Sequence, residues 1–424
     1  MDAGLATPPA IGAPAAGIKA PPVWIFGLLV LPYAVFSNGF INTVVASLLR
    51  AEHVPLDRIA NVNALLLAPM MLYCLWSPLV DFWLRRRTWV AVASSVAGLL
   101  LGLALQSSSL TAARSEVLLV LAMAVVMLTS SGVGGLMAAV VRPELKTRAS
   151  SFFNAGNLGF GALAGGGLLY LSQHLSRKPF GLVCGLLVAL PGLLALTVAE
   201  PAVIGRAEAF GAVLGRMGRE FRHTFFKWSA LPVLLMLCSP LGSGAALSLL
   251  PGLAPDYGVS INQVAWINGV AGGLLTALGA LLVGFVKLPQ DLRPVYAFAG
   301  LVNAGTLGIL CLGHPRPATY YVASTLFMLT VGGCYALFTA LALRLLGISG
   351  KSGSSRYAIA LSLGNAPVFY MTLVDGLGAR LFGTKGLPGA DMVVSGGVAL
   401  AFLVWFWWER RRGIEPQFGL SSAE

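Results

Sequence analysis

The residues that could bind or move a chemical group lie inside long apolar runs, and nearly all of them are uncharged. Asn, Tyr, Ser and Thr side chains can both donate and accept hydrogen bonds. Such side chains suit the neutral groups of a solute, such as amides, hydroxyls and sugars, and hydrogen bonding between helices is the alternative role. The candidates for solute contact are Tyr33, Asn38, Asn42, Thr129, Ser130, Asn157, Ser239, Ser243, Asn268, Tyr335, Asn365 and Tyr370.

Asp375 is the one acid that the sequence places well inside an apolar run. A carboxylate is costly to hold in a bilayer, so an acid at this position is a candidate carrier of a coupling proton. Arg380 follows on the same run. An ion pair or a helix-end contact is therefore an equal alternative.

Enzymatic chemistry finds no support in the sequence. The four histidines lie between the apolar runs, so none is placed to act as a base inside the membrane. Gly350-Lys351-Ser352-Gly353 resembles the end of a phosphate-binding loop, but Leu345 stands where that loop needs its first glycine. The five cysteines lie singly in apolar segments, which argues against disulfides and a zinc site. We predict no enzymatic activity, no cofactor and no metal ion.

The composition indicates the solvent in which these residues are positioned. Of 424 residues, 57% are hydrophobic and 10% are charged, whereas soluble domains carry about 25% charged residues. A helix that crosses a bilayer needs about 20 apolar residues. We predict an all-α polytopic membrane protein with twelve spans. In chain order, spans 1 to 12 are 23–49, 59–82, 89–108, 117–141, 150–171, 180–199, 229–250, 264–286, 294–312, 319–345, 357–380 and 392–408.

The basic residues predict the orientation of these spans. The net charge is +12, and most of the 28 Lys and Arg residues fall on one side when twelve spans are drawn. Segments that face the cytoplasm carry the excess of Lys and Arg, so both termini are predicted to be cytoplasmic. No basic patch interleaved with aromatic residues is present, and we predict no binding of nucleic acid.

The spans divide into two similar halves of six. Met127-Leu128-Thr129 recurs as Met328-Leu329-Thr330, and Gly156-Asn157 recurs as Gly364-Asn365, in the same order. Six spans return the chain to the same side of the membrane, so the halves are predicted to be parallel repeats.

The segment between the halves carries apolar residues at helical spacing and basic residues beside them, which is typical of an amphipathic helix on the membrane surface. A regulatory partner site is the alternative. The predicted units are a disordered tail 1–21, a bundle 22–199, a linker 200–228, a bundle 229–409 and a cytoplasmic tail 410–424.

A small residue, an acid and two arginines lie at regular spacing at the inner end of span 2. Ser77 is followed four residues later by Asp81, and Asp81 is followed four residues later by Arg85 and Arg86. A carboxylate at a helix end can face the positive N-terminus of another helix, and arginines can pair with an acid across a loop. Glu144, at the inner end of span 4, is placed to be that acid. Anchoring of the basic residues at the membrane surface is the alternative.

This spacing resembles the signature of the major facilitator superfamily, in which glycine stands in place of Ser77. The resemblance extends to the twelve spans, the two halves and the long central loop. It implies that Asp81, Arg85, Arg86 and Glu144 latch a cytoplasmic gate, that the solute site lies between the halves, and that transport proceeds by alternating access. The second half lacks the acid of this motif.

Within that superfamily, Leu75–Asp81, Tyr357-Ala358 and Val374–Gly378 resemble the muropeptide permeases (AmpG-like), which are similar to acetyl-coenzyme A transporters and siderophore permeases. The resemblance implies proton-coupled symport of a small amphipathic solute, such as a muropeptide or a siderophore, by a monomer in the inner membrane. The alternatives are an exporter of drugs or metabolites and a non-transporting receptor or scaffold.

Overall fold

The computed structural model describes residues 21–81, 84–107, 109–141, 146–200, 231–286, 288–289, 291–346 and 353–413, with five further positions between 211 and 219. Most of the predicted linker 200–228, the first tail and most of the last tail lie outside these residues. Their predicted structures stay predictions.

Helices occupy all twelve predicted span positions within the described residues, which contain no strand. Eight helical stretches of the described residues are long and apolar enough to cross a bilayer, and the last of them, Leu361–Arg411, covers most of span 11 and all of span 12. The helices of spans 2, 3, 4, 6, 9, 10, 11 and 12 are Leu56–Leu72, Arg86–Ala104, Ala113–Val140, Arg177–Leu193, Arg293–Leu312, Pro317–Leu346, Gly353–Phe382 and Gly386–Arg411. The chain is thus an all-α polytopic membrane protein, as predicted.

Spans 1, 5 and 8 each change from α-helical to π-helical geometry along their length, near the middle in spans 1 and 5 and near the start in span 8. The wider π turn is rare and is often found at functional sites. The π-helical stretches are Val35–Val45, Gly156–Phe160 and Ala265–Ala271. The flanking α-helices are Ile25–Leu29, Leu31–Ala34 and Ala46–Ala51 in span 1, Lys146–Ala155 and Gly161–His174 in span 5, and Ile261–Val264 and Gly272–Phe285 in span 8.

Span 7 is not the continuous helix that its hydropathy predicts. Its first α-helix, Leu231–Leu237, ends in the middle of the span. Pro240 lacks an N–H to continue the helix, and Gly242 and Gly244 adopt left-handed backbone angles, with φ of 61° and 73°. The chain then resumes as the short turns Ala245–Ser248, Leu250–Leu253 and Ala254–Tyr257.

The outer surface of the bundle is a belt of large apolar side chains. Leu99 is 62% exposed, Leu281 60% and Leu312 81%. Monomeric soluble proteins rarely expose apolar area on this scale. The belt therefore faces lipid, and the polar side chains lie largely between helices.

The two halves meet through spans 1, 2 and 5 of the first half and spans 7, 8 and 11 of the second. Spans 5 and 8 cross through glycines, and a Cβ built on Gly269 would lie 2.5 Å from the Cα of Gly166. Small residues let helix backbones approach this closely. We call the end of the bundle that holds Arg50 the outer end and the end that holds Arg86 the inner end, after the predicted orientation.

Candidate functional site

A cavity of about 60 Å³ lies between the halves, at the level of the three π-helical stretches. It has room for a few water molecules, so a larger solute requires the halves to part. Among the described residues, no charged side chain lines it. Its wall is formed by Asn38, Asn42, Thr43, Leu158, Ala162, Leu247, Asn268, Gly272, Gly273, Thr276, Met328 and Tyr335.

Asn38 and Asn42 lie on the cavity wall in the π-helical stretch of span 1. The Asn38 Nδ2 donates to both the carbonyl oxygen and the Oδ1 of Asn157, each at 3.0 Å. The Asn42 Nδ2 donates to the Asn38 Oδ1 at 3.4 Å. Asn157 therefore lies behind the wall and orients Asn38, which in turn orients Asn42.

Asn268 brings a donor that has no partner in the described part of the chain. The hydroxyl of Tyr320 lies 2.9 Å from the Asn268 Oδ1 and 3.0 Å from the Leu250 carbonyl oxygen. Asn268 is only 6% exposed, and its Nδ2 has no hydrogen-bond partner among the described residues. Asn268 also lines the cavity, so its unpartnered Nδ2, which is itself buried, lies close to the space that a bound molecule would fill.

Tyrosine hydroxyls satisfy carbonyl groups that the break in span 7 releases. Tyr335 donates to the Ser243 carbonyl at 3.0 Å, Tyr370 to the Cys238 carbonyl at 2.9 Å, and Tyr296 to the Leu241 carbonyl at 2.9 Å. Backbone groups inside a membrane must find such partners. These three tyrosines, from spans 10, 11 and 9, hold the break in shape.

Several predicted candidates lie away from the cavity wall. The Ser239 hydroxyl donates to the Leu235 carbonyl of its own helix at 2.6 Å, and the Asn365 Nδ2 donates to the Met70 carbonyl at 3.1 Å. Thr129 is buried, and Ser130 is half-buried. Tyr33, Ser243 and Tyr370 also fall outside the wall residues. Contact of these residues with a solute stays a prediction.

Sequence reasoning missed two threonines on the wall, Thr43 and Thr276. The Thr276 hydroxyl donates to the Gly272 carbonyl at 2.8 Å, a common arrangement within helices. Thr43 follows Asn42, so the polar run of span 1 was the available signal.

Asp375 is fully buried in span 11, and neither of its carboxyl oxygens has a hydrogen-bond partner among the described residues. Arg380 is exposed, and no ion pair joins it to Asp375 in the described chain. A second acid, Asp391, is 4% exposed in span 12 and accepts a hydrogen bond from the Ser395 hydroxyl at 2.5 Å. The predicted start of span 12 at 392 had left Asp391 outside the membrane.

The predicted cytoplasmic gate is described only in part. Glu144 and the side chain of Asp81 lie outside the described residues, and Arg85 is exposed. A Cβ built on Gly135 would lie 2.8 Å from the Arg86 Nε, so the Arg86 side chain lies against span 4. The gate role of these residues stays a prediction.

Glu200 is an acid of this region that sequence reasoning missed. It is 5% exposed and follows span 6. Its carboxylate accepts the backbone N–H groups of Arg86 at 3.3 Å and Arg87 at 3.2 Å. A carboxylate at a helix N-terminus is stabilised by the helix dipole, so Glu200 fixes the start of span 3 to the end of span 6.

The outer end is closed by polar contacts between the halves. Arg50 forms an ion pair with Asp256, which also accepts a hydrogen bond from Thr384 at 3.1 Å. The Asn63 Nδ2 donates to the Ser248 carbonyl at 2.8 Å. Burial, together with Cys311 and Asp256 nearby, raises the pKa of Tyr257 to about 12, so its phenol stays neutral.

No protein-family model matches the sequence, and no curated protein matches it. Solved structures do match. A point mutant of the nucleoside transporter NupG has a TM-score of 0.69 at 15% identity, over 91% of this chain and 98% of that chain. A POT family transporter in complex with 5-aminolevulinic acid has a TM-score of 0.68 at 11% identity, over 93% and 96%. A D-xylose-proton symporter has a TM-score of 0.64 at 12% identity, over 90% and 95%. The chain is similar to these transporters in fold, which is the major facilitator fold that the resemblance implied.

Proposed function

We propose that the protein is a secondary active transporter that moves a small amphipathic solute by alternating access. The observation that carries this proposal is the Asn268 amide, which is buried on the wall of a cavity between the two halves and has no partner on its Nδ2. A buried donor without an acceptor costs about 1–3 kcal/mol. A carbonyl or hydroxyl oxygen of a solute would remove that cost.

The chemistry of the wall supports a class of solute. Amides and hydroxyls line the cavity together with apolar side chains, and no charged side chain of the described residues does. Muropeptides and siderophores carry amide and hydroxyl groups, so they remain the solutes that we propose. Nucleosides, which the name of one structural neighbour specifies, carry similar groups and belong in the same screen.

The contacts between the halves support alternating access. The outer end is closed by Arg50–Asp256 and by the glycine contact of spans 5 and 8. Opening to the outside would break these contacts, and Asp81, Arg85, Arg86 and Glu144 would then latch the inner end. We further propose proton symport, with Asp375 as the residue that carries the proton.

The test is uptake into proteoliposomes under a pH gradient, with binding measured separately by thermal shift. Anhydro-muropeptides, ferric siderophores and nucleosides are each titrated. We expect one class to stabilise the protein in proportion to concentration, and Asn268→Ala to weaken that binding at least tenfold. Asn262→Ala is the matched control, since Asn262 is an exposed amide on the same span.

Equal affinity in Asn268→Ala and wild type would refute the proposed site. Binding without uptake, or export in place of uptake, would favour a receptor or an exporter over a symporter.

A further inference from the structure

We propose that Asp375 and Asp391 together form a proton-binding carboxyl pair between spans 11 and 12, beside the contact that closes the outer end. The pair extends the role proposed for Asp375 alone, and its use in symport rests on the proposed transport function. The binding of a proton by the pair does not depend on that function.

Helix packing places the two acids side by side. Spans 11 and 12 run antiparallel and touch through small residues. A Cβ built on Gly378 would lie 2.6 Å from the Cβ of Ala390. One helical turn inward from Gly378 leads to Asp375, and the residue next to Ala390 is Asp391. Asp375 and Asp391 therefore lie at about one level on adjoining helices.

Both acids are removed from water, and they are bonded differently. Asp375 is 0% exposed and Asp391 4%. Asp391 accepts the Ser395 hydroxyl, whereas both oxygens of Asp375 lack a partner in the described chain. Two carboxylates side by side repel each other, and burial removes the water that would screen them. A proton held between them relieves both costs and gives Asp375 its missing hydrogen bond.

No buried cation from the described neighbours takes the place of that proton. The backbone of Asp57 in span 2 contacts Gly376, and the thiol of Cys311 in span 9 lies beside Gly389. Asp256, after span 7, is paired with Arg50, whose side chain is 27% exposed. Arg380 and Lys385 are exposed.

The pair adjoins the contact between the halves. Gly376, the residue after Asp375, packs against Ala60 of span 2 so closely that a Cβ on it would collide with the Ala60 Cβ. Loss of the proton would drive the two carboxylates, and hence spans 11 and 12, apart at this level. The closure of the outer end is thereby linked to protonation of the pair.

The experiment follows the carboxylic-acid C=O stretching band by infrared difference spectroscopy while pH is varied, on full-length protein in lipid nanodiscs. We expect wild type to show a band that disappears as pH rises. We expect both Asp375→Asn and Asp391→Asn to remove or shift that band, because the proton is shared. Asp57→Asn, which changes a half-buried acid on span 2, is the matched control and should leave the band unchanged.

A band that stays at the wild-type frequency in either pair variant would overturn the shared proton. A band that appears only when Na⁺ is absent would assign the pair to a sodium ion instead, and would also overturn the proposal. Thermal unfolding of each variant checks that it is folded. The spectrum needs no solute, so a failure to find transport and a failure of the pair are distinguishable.

Discussion

Spans 1 and 7 occupy equivalent positions in the two halves, yet their backbone conformations differ. Span 1 stays helical and widens into the π-helical stretch Val35–Val45. Span 7 breaks after Leu237, and two left-handed glycines carry the chain through the break. Both lie at the interface between the halves, and both contribute to the cavity wall.

The difference shows two ways of bringing polar groups to the middle of a membrane. Span 1 keeps its backbone hydrogen bonds and presents amide side chains, Asn38 and Asn42. Span 7 gives up helical hydrogen bonds, and tyrosines from the neighbouring spans satisfy the released carbonyls. The backbone of span 1 is therefore stabilised by its own hydrogen bonds, whereas the backbone of span 7 depends on hydrogen bonds from neighbouring spans.

The largest expected effect comes from Gly242→Ala. The left-handed backbone angle of Gly242 costs an L-residue about 1–2 kcal/mol, and the new Cβ would collide with the Cys334 side chain, which adds about 1–3 kcal/mol. Denaturation in detergent measures the loss. Gly134→Ala is the control, because Gly134 is helical and has open space around it. Equal stability of the two variants would show that the left-handed backbone at Gly242 is not required.

Tyr296→Phe tests the dependence of span 7 on its neighbours. It removes the donor to the buried Leu241 carbonyl, and we expect the free energy of unfolding to fall by about 1–3 kcal/mol. Tyr170→Phe, at a residue that is 52% exposed, should change it little. If both variants unfold alike, the tyrosine is not required at the break.

The corresponding contact of span 1 is expected to be weaker. A double-mutant cycle of Asn38→Ala and Asn157→Ala should give a coupling energy of about 0.6 kcal/mol and at most about 1.7 kcal/mol. A coupling larger than the loss in Tyr296→Phe would reverse the comparison between the spans.

The smallest effect is expected for the ion pair that joins the end of span 1 to the segment after span 7. Arg50 and Asp256 are 27% and 18% exposed in their side chains. A cycle of Arg50→Gln and Asp256→Asn should give about 0.2–1 kcal/mol, falling in high salt because exposed charges are screened. A coupling that salt does not change would mean that the pair is shielded from solvent.

Hydropathy and charge predicted the twelve span positions because long apolar runs leave little choice of structure in a bilayer. The break in span 7 was missed. Ser239-Pro240 and the glycines at 242 and 244 were a signal for a turn, but the segment was as apolar as its neighbours.

The cavity was predicted only in part, and the reason is geometric. Asn38, Asn42, Asn268 and Tyr335 lie on its wall. Asn365 is as polar, but it points to the Met70 carbonyl. Which face of a span meets the other half depends on helix rotation, and nearly uniform apolar sequence carries little information about rotation. Asp391 was missed for a simpler reason, since a span boundary was misplaced.

The glycine contact of spans 5 and 8 has an electrical consequence. A Cβ on Gly166 would lie 2.7 Å from the Ala265 carbonyl oxygen, so the two backbones touch. A water molecule needs about 10–15 Å³ of free volume, and this contact leaves none. Moving one elementary charge across a membrane with a potential of 100 mV changes its free energy by about 2.3 kcal/mol. Because the touching backbones exclude water from the space between spans 5 and 8, an ion driven by that potential cannot pass between these two spans.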